Sequence, residues 1–214
     1  MIEEAAVGKL LAPFRVGLTP EQSGLLLQYL ELLQRWNRKI NLTAVRSEAD
    51  CVTRHFGESL FVTSWMHLHG RLLDVGSGAG FPGLALKIVC PELEVTLLEP
   101  VAKKRAFLKE VARTCGMKSV EVRGERLEGF VKLIPSPTYD VVTSRAVGHL
   151  KTLLPLAVSC LRAGGHLCLW LGGEHSVERQ DAGLPISWQP PVLIPISRER
   201  WIQIGTKVDA EQLR

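Results

Sequence analysis

A run of glycines that directly follows a short apolar segment restricts the fold of this chain most strongly. Leu72-Leu73-Asp74-Val75 has the composition of a buried strand, and the next eight residues are Gly76-Ser77-Gly78-Ala79-Gly80-Phe81-Pro82-Gly83. A strand, a glycine turn and a helix in this order let a ligand approach the backbone closely, because no Cβ intervenes and the first N–H groups of the helix are free. The pattern predicts a nucleotide-like cofactor at this turn.

Short β-like segments alternate with helical ones from residue 71 onward. This alternation predicts an α/β fold with a doubly wound, Rossmann-like parallel sheet, right-handed crossovers and helices on both faces. The predicted strands are Leu72–Val75, Val95–Leu98, Val120–Val122, Val141–Thr143 and His166–Trp170, and the predicted helices are Pro82–Val89, Lys103–Cys115 and Leu150–Leu161. The prolines from Pro185 to Pro195, followed by the apolar Trp201–Ile204, predict a loop and a last hairpin at the sheet edge.

The first 70 residues have a helical pattern instead. Apolar residues recur at helical spacing from Glu21 to Trp36, and Thr19-Pro20 supplies an N-cap with proline in the first turn. A second helix is predicted over Glu48–His67. We therefore expect a helical segment at residues 1–70, followed by one compact cofactor-binding domain at residues 71–214.

The composition excludes several classes of protein. The 214 residues are 46% hydrophobic and 22% charged, which argues against disorder. No stretch approaches the roughly 20 apolar residues that cross a bilayer, and the first residues lack the pattern of a secretory signal. We expect a soluble, cytoplasmic protein that does not bind membranes. The net charge of +4 permits an anionic partner without requiring one.

Cysteines and histidines give no sign of a metal site. The five cysteines are odd in number, scattered and never in a C-x-x-C pair, so neither a disulfide framework nor a zinc site is indicated. The histidines form no close pattern with cysteine or glutamate; they are His55, His67, His69, His149, His166 and His175. We expect no metal.

Two acidic residues narrow the choice of cofactor. Asp74 lies two residues before the first glycine, where a carboxylate suits a ligand with a positive charge and an ammonium group, such as S-adenosylmethionine. Glu99 ends the second predicted strand, where it can accept hydrogen bonds from ribose hydroxyls. Gly78, Gly80 and Gly83 also satisfy G-x-G-x-x-G, so a nicotinamide or flavin dinucleotide stays an alternative.

Several motifs together resemble a known family. They are the D-V-G-S-G-A-G-F-P-G loop, Leu98-Glu99-Pro100, Ser144-Arg145-Ala146-Val147, Leu161–Gly165, Trp36-Asn37 with Asn41-Leu42-Thr43, and His55-Phe56 with Glu58-Ser59-Leu60. This combination resembles class I S-adenosylmethionine-dependent methyltransferases and, more narrowly, the bacterial 16S ribosomal RNA guanine-N7 methyltransferases known as RsmG or GidB. The resemblance covers roughly residues 20 to 175.

The resemblance implies roles for individual residues. Gly76 and Phe81, with Asp74, Gly78 and Gly80 of the same loop, are expected to line the cofactor, while Glu99 holds its ribose. Leu127 and Glu128 are expected to flank the adenine. Arg145 is expected to lie beside the methionine end or the incoming nucleotide and to be catalytic, so that Arg145→Ala would abolish transfer and leave the fold intact; a structural ion pair is the alternative for this arginine.

In the implied reaction, guanine N7 attacks the sulfonium methyl carbon, the bond from this carbon to sulfur breaks, and S-adenosylhomocysteine leaves. Because N7 carries no proton, no general base is needed. Consistent with this, no N-P-P-Y or D-P-P-Y segment follows Tyr139-Asp140-Val141-Val142, where methyltransferases of exocyclic amines commonly carry one. The chain departs from the family at Leu171, which stands where the family usually has a lysine. No metal is required by this chemistry, and the product is S-adenosylhomocysteine.

A basic group after the first helix is predicted to bind RNA phosphates. Its members are Arg35, Arg38, Lys39 and Arg46. Trp36 and Asn37, and by an alternative role Asn41 and His55, are expected to anchor the helical segment on the sheet domain. The expected partner is 16S rRNA in the small ribosomal subunit, and the protein is expected to be a monomer. Two alternatives stay open, namely a methyltransferase for another substrate and a cofactor-binding RNA or ribosome assembly factor without turnover.

Overall fold

The computed structural model describes residues 2–145, 150–173 and 183–209. Within these ranges the strands form one sheet in the order β3-β2-β1-β4-β5-β8-β6, and β7 also pairs with β8. The strands are β1 Arg71–Val75, β2 Glu94–Leu98, β3 Val120–Arg123, β4 Tyr139–Arg145, β5 Leu161–Gly172, β6 Ile186–Trp188, β7 Val192–Leu193 and β8 Arg200–Lys207. The first five strands are parallel, as predicted, so their carboxyl ends meet at one edge.

The predicted last hairpin forms, since β7 and β8 pair antiparallel, but β8 is not an edge strand. β8 lies inside the sheet, antiparallel to β5 from His166↔Thr206 to Gly172↔Arg200, and β6 and β7 pair with its other side. Ile202 and Ile204 are both buried because helices cover this part of the sheet. The first residue of β8 therefore lies at the same edge as the carboxyl end of β5.

The helices largely confirm the predicted pattern. Thr19 caps α2 by accepting from the backbone N–H of Gln22, whose side chain accepts from Thr19 in return. A short first helix, α1, was not predicted. The helices are α1 Glu4–Leu11, α2 Pro20–Asn37, α3 Glu48–Cys51, α4 Glu58–Leu60, α5 Gly83–Val89, α6 Ala102–Thr114, α7 Leu127–Phe130 and α8 Leu150–Cys160. None of the helices in the described ranges has the length and apolarity needed to span a membrane.

The segment predicted as one helix over Glu48–His67 is a composite. Between α3 and α4 lies a π-helical turn, Val52–Gly57, and a 3-10 turn, Phe61–Ser64, ends the run three residues earlier than expected. A π-helical turn is uncommon and is frequent at functional sites. This turn carries Arg54, His55 and Phe56 to the carboxyl edge of the sheet.

Apolar cores lie on both faces of the sheet, as the alternation predicted. One core joins buried residues of the first 70 positions, such as Tyr29 and Phe56, to Phe81, Phe107 and Trp170. The other joins Leu73, Leu98 and Leu171 to α7 and α8. The helical segment thus shares one continuous core with the sheet, which lets it hold loops at the carboxyl edge.

Candidate active site

The glycine loop at the end of β1 leaves one position open to a ligand. The backbone N–H groups of Gly76 and Ser77 both donate to the carbonyl of Leu98 at 3.0 Å, which ties the loop to β2. Gly76 has φ +74°, in the left-handed region, and a Cβ built there would meet no atom within 4 Å. The missing side chain therefore leaves space that the protein itself does not fill.

Gly80 is required for a different reason. Its φ is +89°, and a Cβ there would lie 2.3 Å from the hydroxyl oxygen of Tyr29 and 2.9 Å from Cδ1 of Leu84. The Tyr29 hydroxyl donates to the carbonyl oxygen of Ala79, inside the loop. Tyr29 was predicted only as part of an apolar helix face, since nothing local distinguishes it from a core aromatic. The structure shows that α2 grips the glycine loop directly.

Phe81 lies between aromatic rings of the helical segment. Its ring stacks on Tyr29 at 5.2 Å between centroids and on His55 at 4.9 Å, and Phe56 meets it edge-on. Only 7% of Phe81 is exposed. In the structure the ring anchors the loop to α2 and to the π-helical turn, whereas the residues beside Gly76 line the open space.

Asp74 supports the loop from below. Its buried carboxylate accepts from the hydroxyl of Thr143 at 2.8 Å and from the backbone N–H of Gly83 at 3.3 Å. Burial raises the pKa of Asp74 from 3.8 to about 6, although the hydrogen bonds from Thr143, Ser77 and Gly83 act against this rise. The carboxylate contacts protein groups only, so any charge it carries acts on a ligand through the loop.

Glu99 follows β2 and faces the loop. Its two oxygens accept from the backbone N–H of Gly78 at 2.9 Å and from that of Val101 at 2.8 Å, and 4% of the residue is exposed. A carboxylate offers about four acceptor positions, so each oxygen keeps one for a further donor. Glu99 thus both fixes Gly78 and can accept from a ribose hydroxyl.

A cavity of about 210 Å³ opens at this edge of the sheet. Of the predicted cofactor residues it brings together Gly76, Leu127 and Glu128, and its walls include Val75, Leu98, Leu153 and Leu156. An apolar slot with a few polar groups is the usual form of a small-ligand site. The open position at Gly76, the spare acceptors of Glu99 and this apolar slot fit an adenosine-containing cofactor.

Arg145, the last residue of β4, is held by protein groups on almost every side. Its Nη1 donates to the carbonyl of His55 at 3.4 Å and to the hydroxyl of Ser59 at 3.3 Å; its Nη2 donates to the carbonyl of Arg54 at 2.5 Å and to Glu58 at 3.0 Å. The structural ion pair that the sequence allowed therefore exists. Ala146 and Val147 of the same motif lie outside the described residues.

Glu58 connects three elements and was predicted only as part of a motif. It is 2% exposed, and Oε1 accepts from Nε of Arg200 at 2.8 Å while Oε2 accepts from Arg145. The indole N–H of Trp170 donates to the backbone carbonyl of Glu58 at 2.7 Å. No local pattern could reveal this network, because its members are separated by 87 to 142 positions in the chain.

His55 and Trp36 anchor the helical segment, as expected, but Asn37 does not. Trp36 donates to Glu110 of α6 at 3.1 Å, and burial, followed by Arg145 and Arg54, lowers the pKa of His55 to about 3, so its stacked ring is neutral. Asn37 accepts from the N–H groups of Leu42 and Thr43 and so orders the turn beyond its own helix. Asn41 is exposed.

The predicted RNA-binding residues lie together, with one of them paired. Arg35 forms an ion pair with Glu110, while Arg38, Lys39 and Arg46 are exposed. Arg38 and Arg46 line a second cavity of about 230 Å³ whose floor includes Asn37 and Thr43. The ordered turn thus presents two guanidinium groups around one opening.

Leu171 lies in the core and not at the site. It is 4% exposed and packs with the apolar residues beneath α8. At this position the chain has an apolar packing residue.

Among the described residues, no group of three or more His, Cys, Asp or Glu side chains is arranged to hold a metal ion. His149 and His175 lie outside the described residues.

Asp74→Asn is expected to make stability less sensitive to pH. Because the pKa of Asp74 in the folded protein exceeds its ordinary value near 3.8, the folded state binds this proton more tightly, and stability falls as the pH rises from about 4 to 6. The asparagine carries no charge and still accepts from Gly83, while the Thr143 hydroxyl can turn to the carbonyl of Leu73. We expect the unfolding free energy of the variant relative to the wild type to rise by on the order of 3 kcal/mol between pH 4 and 7.

Urea unfolding of both proteins at pH 4, 5, 6 and 7 measures this difference. His55, with its lowered pKa, stabilises the fold more as the pH rises towards 6.5, but it does so in both proteins and cancels. A difference that does not change with pH would contradict the buried, protonatable state of Asp74.

Comparison with known proteins identifies the family. The model of the family described as GidB, rRNA small subunit methyltransferase G, matches residues 22–183. The Ribosomal RNA small subunit methyltransferase G of Roseiflexus castenholzii is 46% identical over 141 residues, which are 64% of this chain and 60% of that protein. The protein of the same name from Chloroflexus aggregans is 37% identical over 202 residues, 90% of this chain and 85% of its own length.

A solved structure of a SAM-dependent O-methyltransferase from Thermotoga maritima superposes with a TM-score of 0.56 at 15% identity, covering 83% of this chain and 71% of that one. At this identity the similarity shows the fold alone, and it confirms the predicted class I methyltransferase architecture. With the sequence matches, it leads to one conclusion: this chain belongs to the GidB family of rRNA small subunit methyltransferases.

Proposed function

We propose that this protein transfers a methyl group from S-adenosylmethionine to N7 of a guanine in 16S rRNA of the small ribosomal subunit. The observation that carries the proposal is the open position at Gly76 beside the cavity lined by Leu127 and Glu128, next to the spare acceptors of Glu99. Family membership supports rRNA as the substrate. We propose further that the protein acts as a monomer in the cytoplasm, where ribosomal subunits are assembled.

Each part of the cofactor has a matching group in the chain. Glu99 would accept from the ribose hydroxyls, and Leu127 with the apolar wall of the cavity would pack against the adenine. The backbone of Gly76 would approach the methionine part, with Gly78 and Gly80 keeping the loop in its conformation. When bound, the cofactor supplies an electrophilic methyl group on a positively charged sulfur.

The reaction requires the protein to align the two reactants but not to transfer a proton. Guanine N7 carries no proton in its neutral form, so no residue has to act as a general base. Holding the two reactants in line at about 3–3.5 Å can by itself lower the barrier by several kcal/mol. The rigid loop, gripped by Tyr29 and supported by Asp74, suits this task.

RNA binding would combine two regions of the surface. Arg38, Lys39 and Arg46 are exposed cations beside an ordered turn and would contact phosphates, while Arg35 would do so on exchanging its partner Glu110. Since backbone charge supplies most of the affinity for nucleic acids and the net charge is only +4, we expect recognition to depend on such local clusters and on RNA shape.

Labelled S-adenosylmethionine and small subunits from a strain that lacks this methylation test the proposal. We expect label in 16S rRNA, and cleavage by borohydride and aniline, mapped by primer extension, at a single guanine. Naked 16S rRNA and intact subunits, assayed side by side, identify the form that is methylated. Cofactor binding without transfer would instead favour an assembly factor, and label in protein or small molecules another substrate class.

A further inference from the structure

Two arginines pair with one buried carboxylate at the carboxyl edge of β4 and β5, and a third arginine lies beside them. Arg145 ends β4, and Arg200 begins β8 opposite Gly172 at the end of β5. Arg54 lies in the π-helical turn, and its backbone carbonyl accepts from Arg145. Glu58, between them, forms ion pairs with both Arg145 and Arg200. The sequence allowed an ion pair for Arg145 but did not predict its partner Glu58 or the contacts of Arg54 and Arg200.

Positive charge is in excess at this place. Arg145 and Arg200 both pair with the carboxylate of Glu58, and the charge of Arg54 lies close enough to act on Arg145. The neighbouring Arg198 and Glu199 carry opposite charges that offset each other. Burial lowers the pKa of Arg145, Glu58 acts against this, and Arg200 and Arg54 are close enough to lower the pKa further. A nearby like charge disfavours the charged form of each arginine. An anion bound among these arginines would offset this repulsion, so the cluster is well suited to binding one.

The hydrogen bonds separate the arginines by role. Four of the five N–H groups of Arg145 are directed at protein acceptors, and 18% of its side chain is exposed, so it positions its neighbours. Arg200 directs Nε and one Nη2 hydrogen to Glu58, which leaves three N–H groups on a side chain that is 36% exposed. Arg54 is exposed, and within the described ranges its guanidinium has no partner.

The free groups have the chemistry of a phosphate site. A guanidinium presents a planar fork that matches two phosphate oxygens, and it stays charged when partly buried. The pair also lies at the right place, since β8 is three strands from β1 in the sheet, on the order of 14 Å from the glycine loop at the usual strand spacing. A guanine near the loop would bring its flanking phosphates to this side of the edge.

We propose that Arg54 and Arg200 bind an RNA phosphate beside the target guanine, and that buried Glu58 and Arg145 hold this pair in position. The inference rests on the proposed rRNA substrate and identifies residues that bind this RNA beside the guanine to be methylated. It differs from the basic group around Arg38 and Arg46. That group precedes the π-helical turn in the chain and lines its own cavity.

Arg54→Ala is the variant of choice, because the side chain is exposed and its removal leaves no buried group without a partner. We expect the Kd for small subunits to rise about tenfold and the slope of log K against log salt to decrease in magnitude by about one, the loss of one phosphate contact. The Kd for S-adenosylmethionine should not change. Lys118→Ala removes the same charge at the opposite edge of the sheet and should leave the slope at the wild-type value.

Arg200→Lys provides a second measurement. Lysine keeps the charge and an ion pair with Glu58 but lacks the planar fork, so we expect weaker subunit binding with an unchanged salt slope. Equilibrium binding and methyl transfer are measured on the same preparations, with circular dichroism to verify folding. Suppose that the wild-type enzyme methylates rRNA. If Arg54→Ala then showed the same salt slope as the wild type, the proposed phosphate site would be overturned. A reduced slope without any wild-type transfer would support the pair and overturn the proposed methylation.

Discussion

Arg145→Ala is expected to lower kcat/KM for methyl transfer on the order of 100-fold and to reduce the free energy of unfolding by about 3–5 kcal/mol. The loss of stability follows because Glu58, 2% exposed, would keep only Arg200 as a charged partner, and the carbonyl of Arg54 and the hydroxyl of Ser59 would lose the guanidinium that donates to them. The sequence predicted an intact fold for this variant. The structure changes that expectation, since this guanidinium also holds the π-helical turn.

The loss of activity and the loss of stability can be separated. Transfer is assayed at a temperature where circular dichroism shows the variant to be folded, and urea unfolding gives the change in stability. Arg145→Lys restores the charge next to Glu58 but cannot serve the carbonyls and Ser59 together, so we expect it to recover part of the stability and little of the activity. A folded Arg145→Ala enzyme with wild-type kcat/KM would reduce Arg145 to a structural ion pair.

Most strands and helices predicted from neighbouring residues agree with the structure, although residues 48–67 do not form one helix. Thr19 and Pro20 directly precede and begin α2, so its cap follows from adjacent residues. The glycine loop, the strand before it and the acid after β2 lie within about 30 positions, where Gly76 takes a left-handed φ and Glu99 supplies an acceptor. The carboxyl edge of a parallel sheet then gathers such residues without further information.

The features missed by these predictions depend on distant partners. Tyr29 reaches Ala79 across 50 positions, and Glu58 meets Arg200 across 142, so neither has a local signature. The insertion of β8 beside β5 was missed for the same reason. An apolar strand that follows prolines has the same local sequence pattern at the edge of a sheet as in its interior. The π-helical turn also escaped prediction, since its apolar residues follow helical spacing closely.

A comparison of two glycines tests how loop and cofactor are connected. In Gly76→Ala, the added methyl group points into open space, where we propose that the cofactor binds, and the left-handed backbone costs about 1–2 kcal/mol. We expect the Kd for S-adenosylmethionine to rise at least about tenfold while the protein stays folded. Calorimetric titration measures the first effect and urea unfolding the second.

Gly80→Ala is expected to act on the fold itself. Its methyl group would lie 2.3 Å from the Tyr29 oxygen, so overpacking and backbone strain together should cost on the order of 4 kcal/mol. Gly24→Ala is the matched control, since this glycine lies inside α2 with nothing within 4 Å, and it should gain about 0.5–1 kcal/mol.

Adding Tyr29→Phe to Gly80→Ala removes the clashing oxygen and should recover part of the lost stability, beyond the sum of the single changes. Additive single changes would show that Tyr29 does not hold the loop at Gly80. If the Gly76 variant kept wild-type affinity for S-adenosylmethionine, the open position would not face the cofactor. The two variants thus distinguish the part of the loop that packs against the helical segment, at Gly80, from the part that we propose contacts the cofactor, at Gly76.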